Sequence, residues 1–423
     1  MKYDLVVFGG GTSGLASAYI AAKHGLNILL IEKTDVLGGA ITQGLVIPAM
    51  KVDTQNINTE FFNDLKAFAD KYGARHTYID NNEGWFNPEL LKIVLDDMLS
   101  SVKCPVLFSS EPTDCKYDPN DNLFKIKIEH KVLSLYIETK YIVDATSNGK
   151  IFQLFNCNFQ NSDEKFQNPG LRFILSGINT VKFANWLEKI DKNRNVTTIE
   201  YLEDRAYLST AYTWDKTKDW ALSPIFEKAV NEGVLDYTDT AYFQIFSVVQ
   251  TPDSIAFNCP RIMLDEGENP NDPFVYSRAL KQGRERIYRL FNFAKNYLIG
   301  FENSYISHIA DVLGIRESYR VKCKYTMTKD DILSGLKPEN PVLSSNYPID
   351  IHTNNENGDK LEFINNNYYL PIDAIISEKY DNLYAVGRIV SADFESQAAL
   401  RVQLSCFSMG EAASKDIIKK IKT

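Results

Sequence analysis

Residues 9–14 read GGGTSG and complete the pattern G-x-G-x-x-G. In such a turn the first glycine permits a tight bend, and the second lets the backbone approach a pyrophosphate. The third allows a helix to pack closely against a strand, while the N-terminus of that helix faces the phosphate. An acidic residue further along the chain, Glu32, is placed to bind a ribose hydroxyl. These residue types at this spacing predict the binding of a dinucleotide.

The turn needs a strand, a helix and a second strand to hold it. Residues 3–8 form a short apolar run typical of a buried parallel strand. Small and apolar residues at helical spacing follow the turn as far as Gly25, and residues 27–31 read as a second buried strand that leads into Glu32. A βαβ unit that binds no nucleotide is the alternative. Because all these features occur in register, the pattern favours a dinucleotide.

The acidic residue does not distinguish FAD from NAD, because both carry an adenosine ribose. Residues 32–44 then contain a second glycine-rich turn and resemble the E-K-x-x-x-x-G-G segment of FAD enzymes with the glutathione-reductase-type fold. Residues 141–147 resemble the strand and turn that close that FAD domain, with Ser147 where glycine is usual. Residues 381–388 resemble its last strand, and a helix through residues 398–413 would follow. The dipole of that helix would stabilise negative charge on the reduced flavin.

The motif and this resemblance together imply contacts with FAD along the whole chain. The residues expected to make them are Gly9, Gly11, Thr12, Ser13, Gly14, Glu32, Lys33, Gly38, Gly39, Ala40, Thr42, Pro112, Ala145, Thr146, Gly387, Arg388, Val402 and Gln403.

Longer stretches resemble one family, the bacterial FAD-dependent oxidoreductases related to the fumarate-reductase and thiazole-biosynthesis flavoproteins. Residues 300–305 (GFENSY), 313–320 (LGIRESYR) and 347–352 (YPIDIH) are similar to three of its segments. This chain departs from the family at Phe394, where histidine is usual. No Cys or His follows the second glycine turn directly, so the resemblance implies non-covalent FAD. The chain has no C-x-x-C pair and no four-cysteine motif, which excludes disulfide and iron–sulfur redox centres.

The expected fold is α/β: a Rossmann-type FAD-binding domain (ββα three-layer) with an inserted mixed α/β substrate domain. We assign residues 1–155 to the first part of the FAD-binding domain, 156–364 to the substrate or cap domain, and 365–423 to the C-terminal part of the FAD-binding domain. Residues 354–359, rich in Asn, Asp, Glu and Gly, are predicted to form an exposed turn or loop.

Arginines that bind an anionic substrate are the first candidates for catalysis, because a flavin needs few protein groups to transfer a hydride. Each could instead form a structural ion pair. The arginines in segments that resemble the family are Arg261, Arg316, Arg320 and Arg401.

Two further side chains could move a proton. His352 follows Asp350 by two residues, so on a strand both project from one face, as an oriented general acid or base requires. The alternative is a buried, hydrogen-bonded structural histidine. Tyr325 is another candidate proton donor, although the chain has 23 tyrosines and most must be packing residues. We therefore expect Arg316, His352, Arg401 and Tyr325 to act in catalysis.

Composition excludes several other classes of protein. Hydrophobic residues make up 44% of the 423 residues and charged residues 24%, which is ordinary for a globular chain. The formal net charge of −9 argues against a nucleic-acid partner.

No apolar run approaches the roughly 20 residues of a membrane span, and a strand starts so early that a signal peptide has no room. Six scattered cysteines without metal-ligand spacing suit a reducing cytosol. We expect a soluble, cytoplasmic protein without a metal site, and composition does not indicate its oligomeric state.

The leading hypothesis is an enzyme in which FAD takes a hydride from, or gives one to, a small organic substrate bound between the two domains. A flavin-containing electron-transfer or binding subunit without its own substrate is the alternative, and the absence of metal-cluster motifs disfavours it. A tRNA- or thiazole-type biosynthetic flavoprotein is the third. Acidic charge argues against tRNA, and the lack of a suitably placed reactive Cys or His argues against thiazole chemistry.

Overall fold

The computed structural model of the chain describes residues 1–160, 166–192, 196–211, 220–352 and 360–423. The loop predicted for residues 354–359 lies outside these ranges. No helix in the described ranges combines the length and the apolar character that crossing a membrane requires.

The first sheet joins parallel strands to an antiparallel meander. Its strands are β1 (Lys2–Phe8), β2 (Ile28–Ile31), β5 (Val106–Leu107), β6 (Ser110–Asp118), β7 (Leu123–His130), β8 (Leu133–Asp144) and β19 (Leu383–Ala385). The order is β5-β2-β1-β8-β7-β6, and β19 pairs in parallel with β8. Strand β8 belongs to both parts, because it pairs in parallel with β1 and antiparallel with β7.

A second sheet is antiparallel throughout, in the order β10-β11-β12-β13-β9-β14. Its strands are β9 (Phe173–Ser176), β10 (Thr197–Tyr201), β11 (Ala206–Ala211), β12 (Gln244–Ser247), β13 (Ile255–Phe257) and β14 (Tyr305–Ile309). The remaining strands form pairs, namely β3 (Arg75–His76) with β4 (Trp85–Phe86), β15 (Pro341–Ser345) with β18 (Tyr368–Pro371), and β16 (Ile349–Ile351) with β17 (Lys360–Glu362).

Helices cover both sheets. They are α1 (Thr12–Lys23), α2 (Glu60–Lys71), α3 (Pro88–Ser101), α4 (Lys150–Leu154), α5 (Thr180–Ile190), α6 (Ser223–Asn231), α7 (Pro273–Tyr297), α8 (Lys329–Ser334), α9 (Phe394–Leu400) and α10 (Gln403–Lys422). Side-chain caps set several starts: Asn87 accepts hydrogen bonds from the first turn of α3, and Asp393 does so for α9.

The first sheet is buried on both faces, which confirms the three-layer ββα arrangement. Alternate residues of β1 point to opposite sides, so Leu5 and Val7 pack against α1, α2, α3 and α10. On the other face Val6 and Phe8 share a core with the meander, including Phe124. Residues of the second sheet form a separate core with α5, α6 and α7. The fold is α/β as expected.

The prediction of a single helix through residues 398–413 is wrong, because the helix is interrupted between α9 and α10. Val402 is extended, with φ −69° and ψ 152°, and a new helix starts at the next residue. An extended residue at this position gives α10 an N-terminus of its own beside the cavity described below. Sequence periodicity missed the break because no glycine or proline marks it in residues 398–405, which read AALRVQLS.

Candidate active site

A cavity of about 1410 Å³ runs along the edge of the first sheet and reaches the second. The glycine turn, the end of β2 and the start of α10 line it from one side. Arg172, Tyr242 and Gln244 line it from the second sheet. Typical small-molecule sites enclose about 300–1,000 Å³, so this cavity has room for more than one small molecule.

The glycines of the first turn have different physical roles. Gly9 has φ +98°, and a Cβ there would lie 2.4 Å from the carbonyl oxygen of Ala145. A Cβ at Gly14 would lie 1.8 Å from the oxygen of Gly9, so α1 packs directly on the turn. At Gly11, by contrast, a Cβ would meet nothing within 4 Å, and Gly11 lines the cavity. The chain thus leaves an open backbone surface at Gly11, where the motif places a pyrophosphate.

The N-terminus of α1 faces this opening. Its N-cap residue, Gly11, has no side chain to accept the hydrogen bonds of the first helical turn. Thr12 and Ser13, the next two residues, line the cavity. The uncapped N–H groups and the positive end of the helix dipole suit an anion such as phosphate.

Glu32 ties the first turn to the end of β2. Its carboxylate accepts a hydrogen bond of 2.6 Å from the amide of Gly10 and two of 2.8 Å from the amide and hydroxyl of Thr34. The residue is buried and lines the cavity. Its contact with a ribose hydroxyl stays a prediction, and the structure adds a second role in which it holds the turn.

The second glycine turn packs on the first. Gly38 has φ +99°, and its amide donates to the carbonyl of Gly10 at 2.8 Å. Gly39 is in contact with Gly11, since a Cβ on Gly39 would lie 3.2 Å from the Gly11 Cα. Thr42 is buried, and its hydroxyl donates to the carbonyl of Leu37 at 2.5 Å. Gly14, Gly38 and Thr42 therefore do not line the cavity. They pack behind the residues that line it and support them.

The middle and C-terminal segments reach the same cavity. Buried Asp144 accepts hydrogen bonds from Thr146 and from two amides of α4, which fixes the turn that follows β8. Ser147 adopts φ +65°, so a serine takes the left-handed conformation at the position where glycine is usual. Arg388 donates to the carbonyls of Ser147 and Ile315, and burial lowers its pKa to about 10.

Most of the expected cofactor residues line this one cavity. They are Gly9, Gly11, Thr12, Ser13, Glu32, Lys33, Gly39, Ala40, Pro112, Ala145, Thr146, Gly387, Arg388, Val402 and Gln403.

Four polar side chains form a hydrogen-bonded group in the cavity. The Asp350 carboxylate lies 3.2 Å from Nε2 of His352 and accepts from the hydroxyl of Tyr347 at 3.3 Å. Arg401, in the break between α9 and α10, donates to the carbonyl of Asp350 at 2.9 Å and lies 3.4 Å from its carboxylate. The predicted pairing of Asp350 with His352 is therefore present, with Arg401 as a third member.

The charges in this group fix its protonation. Burial tends to raise the pKa of the Asp350 carboxyl, but His352 and Arg401 hold it well below its usual range. Burial, assisted by the cation of Arg261, lowers the pKa of His352 to about 4. At pH 7 Asp350 is thus a carboxylate and His352 is a neutral imidazole that can accept a proton.

Arg316 and Arg401 line the cavity, as expected of residues that could contact a substrate. Arg261 is buried, with its guanidinium 4.0 Å from the centre of the Tyr242 ring. Arg320 forms a buried ion pair with Glu317, which is the structural alternative that the sequence left open.

The proton-donor role expected of Tyr325 is not supported. Its hydroxyl donates to the carboxylate of Asp331 at 2.9 Å, and the ring packs against the core of the first sheet, away from the cavity wall. Burial, together with that carboxylate, raises the pKa of Tyr325 to about 12. Tyr325 thus helps to hold the start of α8.

Among the polar residues of the cavity that sequence reasoning missed are Arg172, Tyr242, Gln244 and Asn258. The hydroxyl of Tyr242 and the amide of Asn258 both bond to Oε1 of Gln244, at 2.6 Å each. A signal for Arg172 was present. Residues 170–172 read Gly-Leu-Arg, and residues 314–316 read Gly-Ile-Arg, so one three-residue pattern occurs twice.

Known proteins resemble this chain in short segments. A vinyl phenol reductase of Lactiplantibacillus plantarum is 42% identical over 78 residues, which are 17% of this chain and 16% of the relative. A glutathione reductase of Schizosaccharomyces pombe is 48% identical over 46 residues, 11% of this chain and 10% of that protein. The chain thus spans about a sixth or less of the length of these curated relatives.

A solved flavoprotein/dehydrogenase from Cytophaga hutchinsonii covers 100% of this chain, with 79% of its own length aligned, 12% identity and a TM-score of 0.45. The model of one protein family, described as FAD dependent oxidoreductase, matches residues 4–415. The match covers nearly the whole chain and confirms the resemblance inferred from the sequence segments. The chain belongs to the FAD-dependent oxidoreductase family, and FAD is its cofactor.

Proposed function

We propose that this enzyme transfers a hydride between non-covalently bound FAD and a small organic substrate held between the FAD-binding domain (1–155 and 365–423) and the inserted domain (156–364). One observation carries the proposal: a single cavity is lined by the glycine turn at its FAD end and by the Asp350–His352–Arg401 group elsewhere. The oxidoreductase class follows from the family.

The residues of the cavity fit FAD. The open backbone at Gly11 and the uncapped start of α1 would hold the pyrophosphate. At the other end α10 begins without a side-chain cap, and Oε1 of Gln403 is buried with no hydrogen-bond partner among the described residues. A hydrogen-bond donor of a bound ligand would satisfy this oxygen, because leaving a buried polar atom without a partner costs free energy of folding. When bound, FAD supplies the acceptor or donor of two electrons.

The chain's own side chains would handle the proton. Asp350 accepts a hydrogen bond from Nε2 of His352, which assigns the proton of the neutral ring to Nε2. Nδ1 is then the atom that takes a proton from the substrate or returns one to it. Tyr347, on the same carboxylate, and Arg401 hold Asp350 in place. The neutral state of His352 at pH 7 is the one a general base requires.

The cation of Arg401 also lies at the start of α10. Together with the positive end of the α10 dipole it would stabilise negative charge that develops at this end of the cavity. The proposal further assigns the enzyme to the cytoplasm, where the thiols of its scattered and mostly buried cysteines stay reduced.

Anaerobic reduction of the flavin tests this function. We expect the purified protein to be yellow, to release FAD on acid precipitation, and to bleach with one member of a panel of hydroxy acids, amines, sugars, enoates and NAD(P)H. Release of FMN, or flavin that stays in the precipitate, would contradict non-covalent FAD. A flavin that accepts electrons from a redox dye but exchanges none with any organic molecule, in either direction, would favour an electron-transfer subunit.

A further inference from the structure

The two Gly-aliphatic-Arg segments lie side by side in the folded chain. The amide of Gly314 donates to the carbonyl of Gly170 at 2.8 Å, and the amide of Gly170 donates back at 3.2 Å. The two segments therefore run antiparallel, with the glycines opposite each other. Arg172 and Arg316 each follow their glycine by two residues, so the pair has approximate two-fold symmetry.

Each guanidinium lies over the glycine of the other segment. A Cβ on Gly314 would be 3.1 Å from a terminal nitrogen of Arg172, and a Cβ on Gly170 would be 3.6 Å from both terminal nitrogens of Arg316. Backbone oxygens lie nearest to both Cβ positions, since the carbonyl oxygen of Gly170 would be 2.9 Å from a Cβ on Gly314 and that of Pro260 would be 3.2 Å from a Cβ on Gly170. Close backbone approach therefore accounts for the two glycines, and both arginines beside them line the cavity.

The two arginines differ in their partners. Arg316 is buried, and its guanidinium donates to the carbonyl of Asn168 at 2.6 Å. The guanidinium of Arg172 has no hydrogen bond or ion pair with any residue that the structure describes. Burial lowers its pKa only to about 10, so Arg172 is a cation at pH 7.

The surrounding charge leaves the cation of Arg172 unbalanced. Arg261 and Arg401 are close enough to lower its pKa further by repulsion. The carboxylate of Asp350 is engaged with His352 and Arg401. A partly buried cation without a counter-charge is costly, and an anion bound in the cavity would offset that cost.

We propose that the part of the cavity wall formed by Arg172 and Arg316 binds a carboxylate of the substrate, and that Arg172 is the residue that contacts it. The inference rests on the proposed function, since it names the chemical class of the molecule that exchanges electrons with FAD. A planar guanidinium matches a carboxylate with two parallel hydrogen bonds. The phosphates of FAD have their own site at Gly11 and α1, on the first sheet. Arg172, in contrast, immediately precedes β9 of the second sheet.

The test measures binding of small anions to the FAD-loaded enzyme by calorimetry and by the change in flavin absorbance. The probes are acetate, succinate, benzoate and oxalate, each paired with its amide, together with sulfate and phosphate. We expect at least one carboxylate to bind at least about tenfold more tightly than its amide. Equal binding of every acid and its amide, or tighter binding of sulfate or phosphate than of any carboxylate, would overturn the inference.

Variants assign the binding to Arg172. Arg172→Gln should abolish the preference for the carboxylate while the FAD content stays at the wild-type level, and Arg172→Lys should restore part of it. Arg289→Gln is the matched control, because that arginine belongs to the same domain but bonds to Asp239 at 2.7 and 3.0 Å. An Arg172→Gln enzyme that loses FAD would show that the residue serves the cofactor, which contradicts the inference.

The two proposals fail in different ways. A chain that holds no FAD, or whose flavin exchanges no electrons with organic molecules, refutes the proposed function. A flavin reduced or oxidised by an uncharged molecule, in an enzyme that binds no carboxylate, leaves that function intact and refutes only the anionic substrate.

Discussion

At Gly9, Gly11 and Gly14 one residue type meets three different physical requirements. Gly9 needs a positive φ, and Gly14 needs close contact between α1 and the turn. Gly11 needs neither, since its φ is −76° and the space beside it is open. The protein itself would accept a side chain at Gly11, and a ligand bound there would account for its absence. We therefore propose that Gly11 serves binding, whereas Gly9 and Gly14 serve the fold.

Gly11→Ala should therefore fold and fail to bind FAD. The apo variant should be as stable as the apo wild type or about 0.4–1 kcal/mol more stable, because alanine restricts the unfolded chain. The added methyl group occupies the space of the pyrophosphate, so we expect largely colourless protein. Absorbance at 450 nm per chain and urea denaturation of both apo proteins measure the two effects. A variant that purifies fully loaded with FAD would contradict the assignment.

His352 shows how neighbours decide what a side chain can do. His352→Gln should retain FAD, because the residue belongs to the Asp350 group and not to the glycine turns. We expect kcat to fall by about 100-fold or more, the usual contribution of a general acid or base.

Arg316→Ala should likewise keep the yellow colour and lose turnover. His308→Gln is the control, because His308 is exposed on β14. Loss of flavin or of folding in both site variants would support a structural role.

The lowered pKa of His352 also predicts how stability depends on pH. Between about pH 6.5 and 4 the unfolded chain protonates this imidazole and the folded chain does not. The unfolded state therefore binds more protons, and the free energy of unfolding falls as the pH drops through this window. His352→Gln should show a smaller fall between pH 7 and 5 than the wild type, measured by urea denaturation. An equal fall in the two proteins would show that His352 does not carry the effect.

At the scale of elements, the contact between α1 and α10 joins the two ends of the chain. Helix α10 approaches so closely that a Cβ at Gly410 would lie 1.9 Å from the carbonyl oxygen of Ser13. The hydroxyls of Ser17 and Ser414 bond across the same interface at 2.8 Å. Because Ser13 lines the cavity, this contact positions the start of α1 as well as stabilising the fold.

Gly410→Ala should push α1 and α10 apart. A methyl group against a backbone oxygen cannot be relieved by rotation, so we expect a loss of about 3 kcal/mol in the free energy of unfolding. FAD should also bind more weakly, since the first turn of α1 moves. Ser414→Ala removes two hydrogen bonds from the same interface, to the hydroxyl and to the carbonyl of Ser17, and should cost about 2 kcal/mol without a change in FAD affinity. Equal effects of the two substitutions on FAD binding would refute this account.

At the scale of the whole molecule, one dinucleotide turn serves one cavity. The chain contains a single G-x-G-x-x-G, whereas reductases that bind two dinucleotides carry a second βαβ unit with its own glycines. On the proposed function, a nicotinamide would enter the same cavity as the organic substrate. Its adenosine half would then have no phosphate turn and no ribose acid.

NAD(P)H should therefore bind weakly and compete with the organic substrate. Both need the same face of the flavin, so raising one concentration should raise the apparent KM for the other without lowering kcat. Steady-state kinetics at several fixed concentrations of each ligand measures this. Simultaneous binding at two separately saturable sites would contradict the single cavity.

Residues 3–32 alone predicted a dinucleotide-binding βαβ unit, because the first turn, α1, β2 and Glu32 are contiguous and each has a local signature. The sequence also identified the family, which the match over residues 4–415 confirms. Only the tertiary structure brought Arg172 beside Arg316, 144 positions later, and placed Thr42 and Tyr325 behind or away from the cavity wall. The interruption of the helix at Val402 likewise became visible only in the tertiary structure. The reason is physical: local patterns specify turns and elements, whereas the wall of a cavity depends on which distant strands pair and how closely their backbones approach.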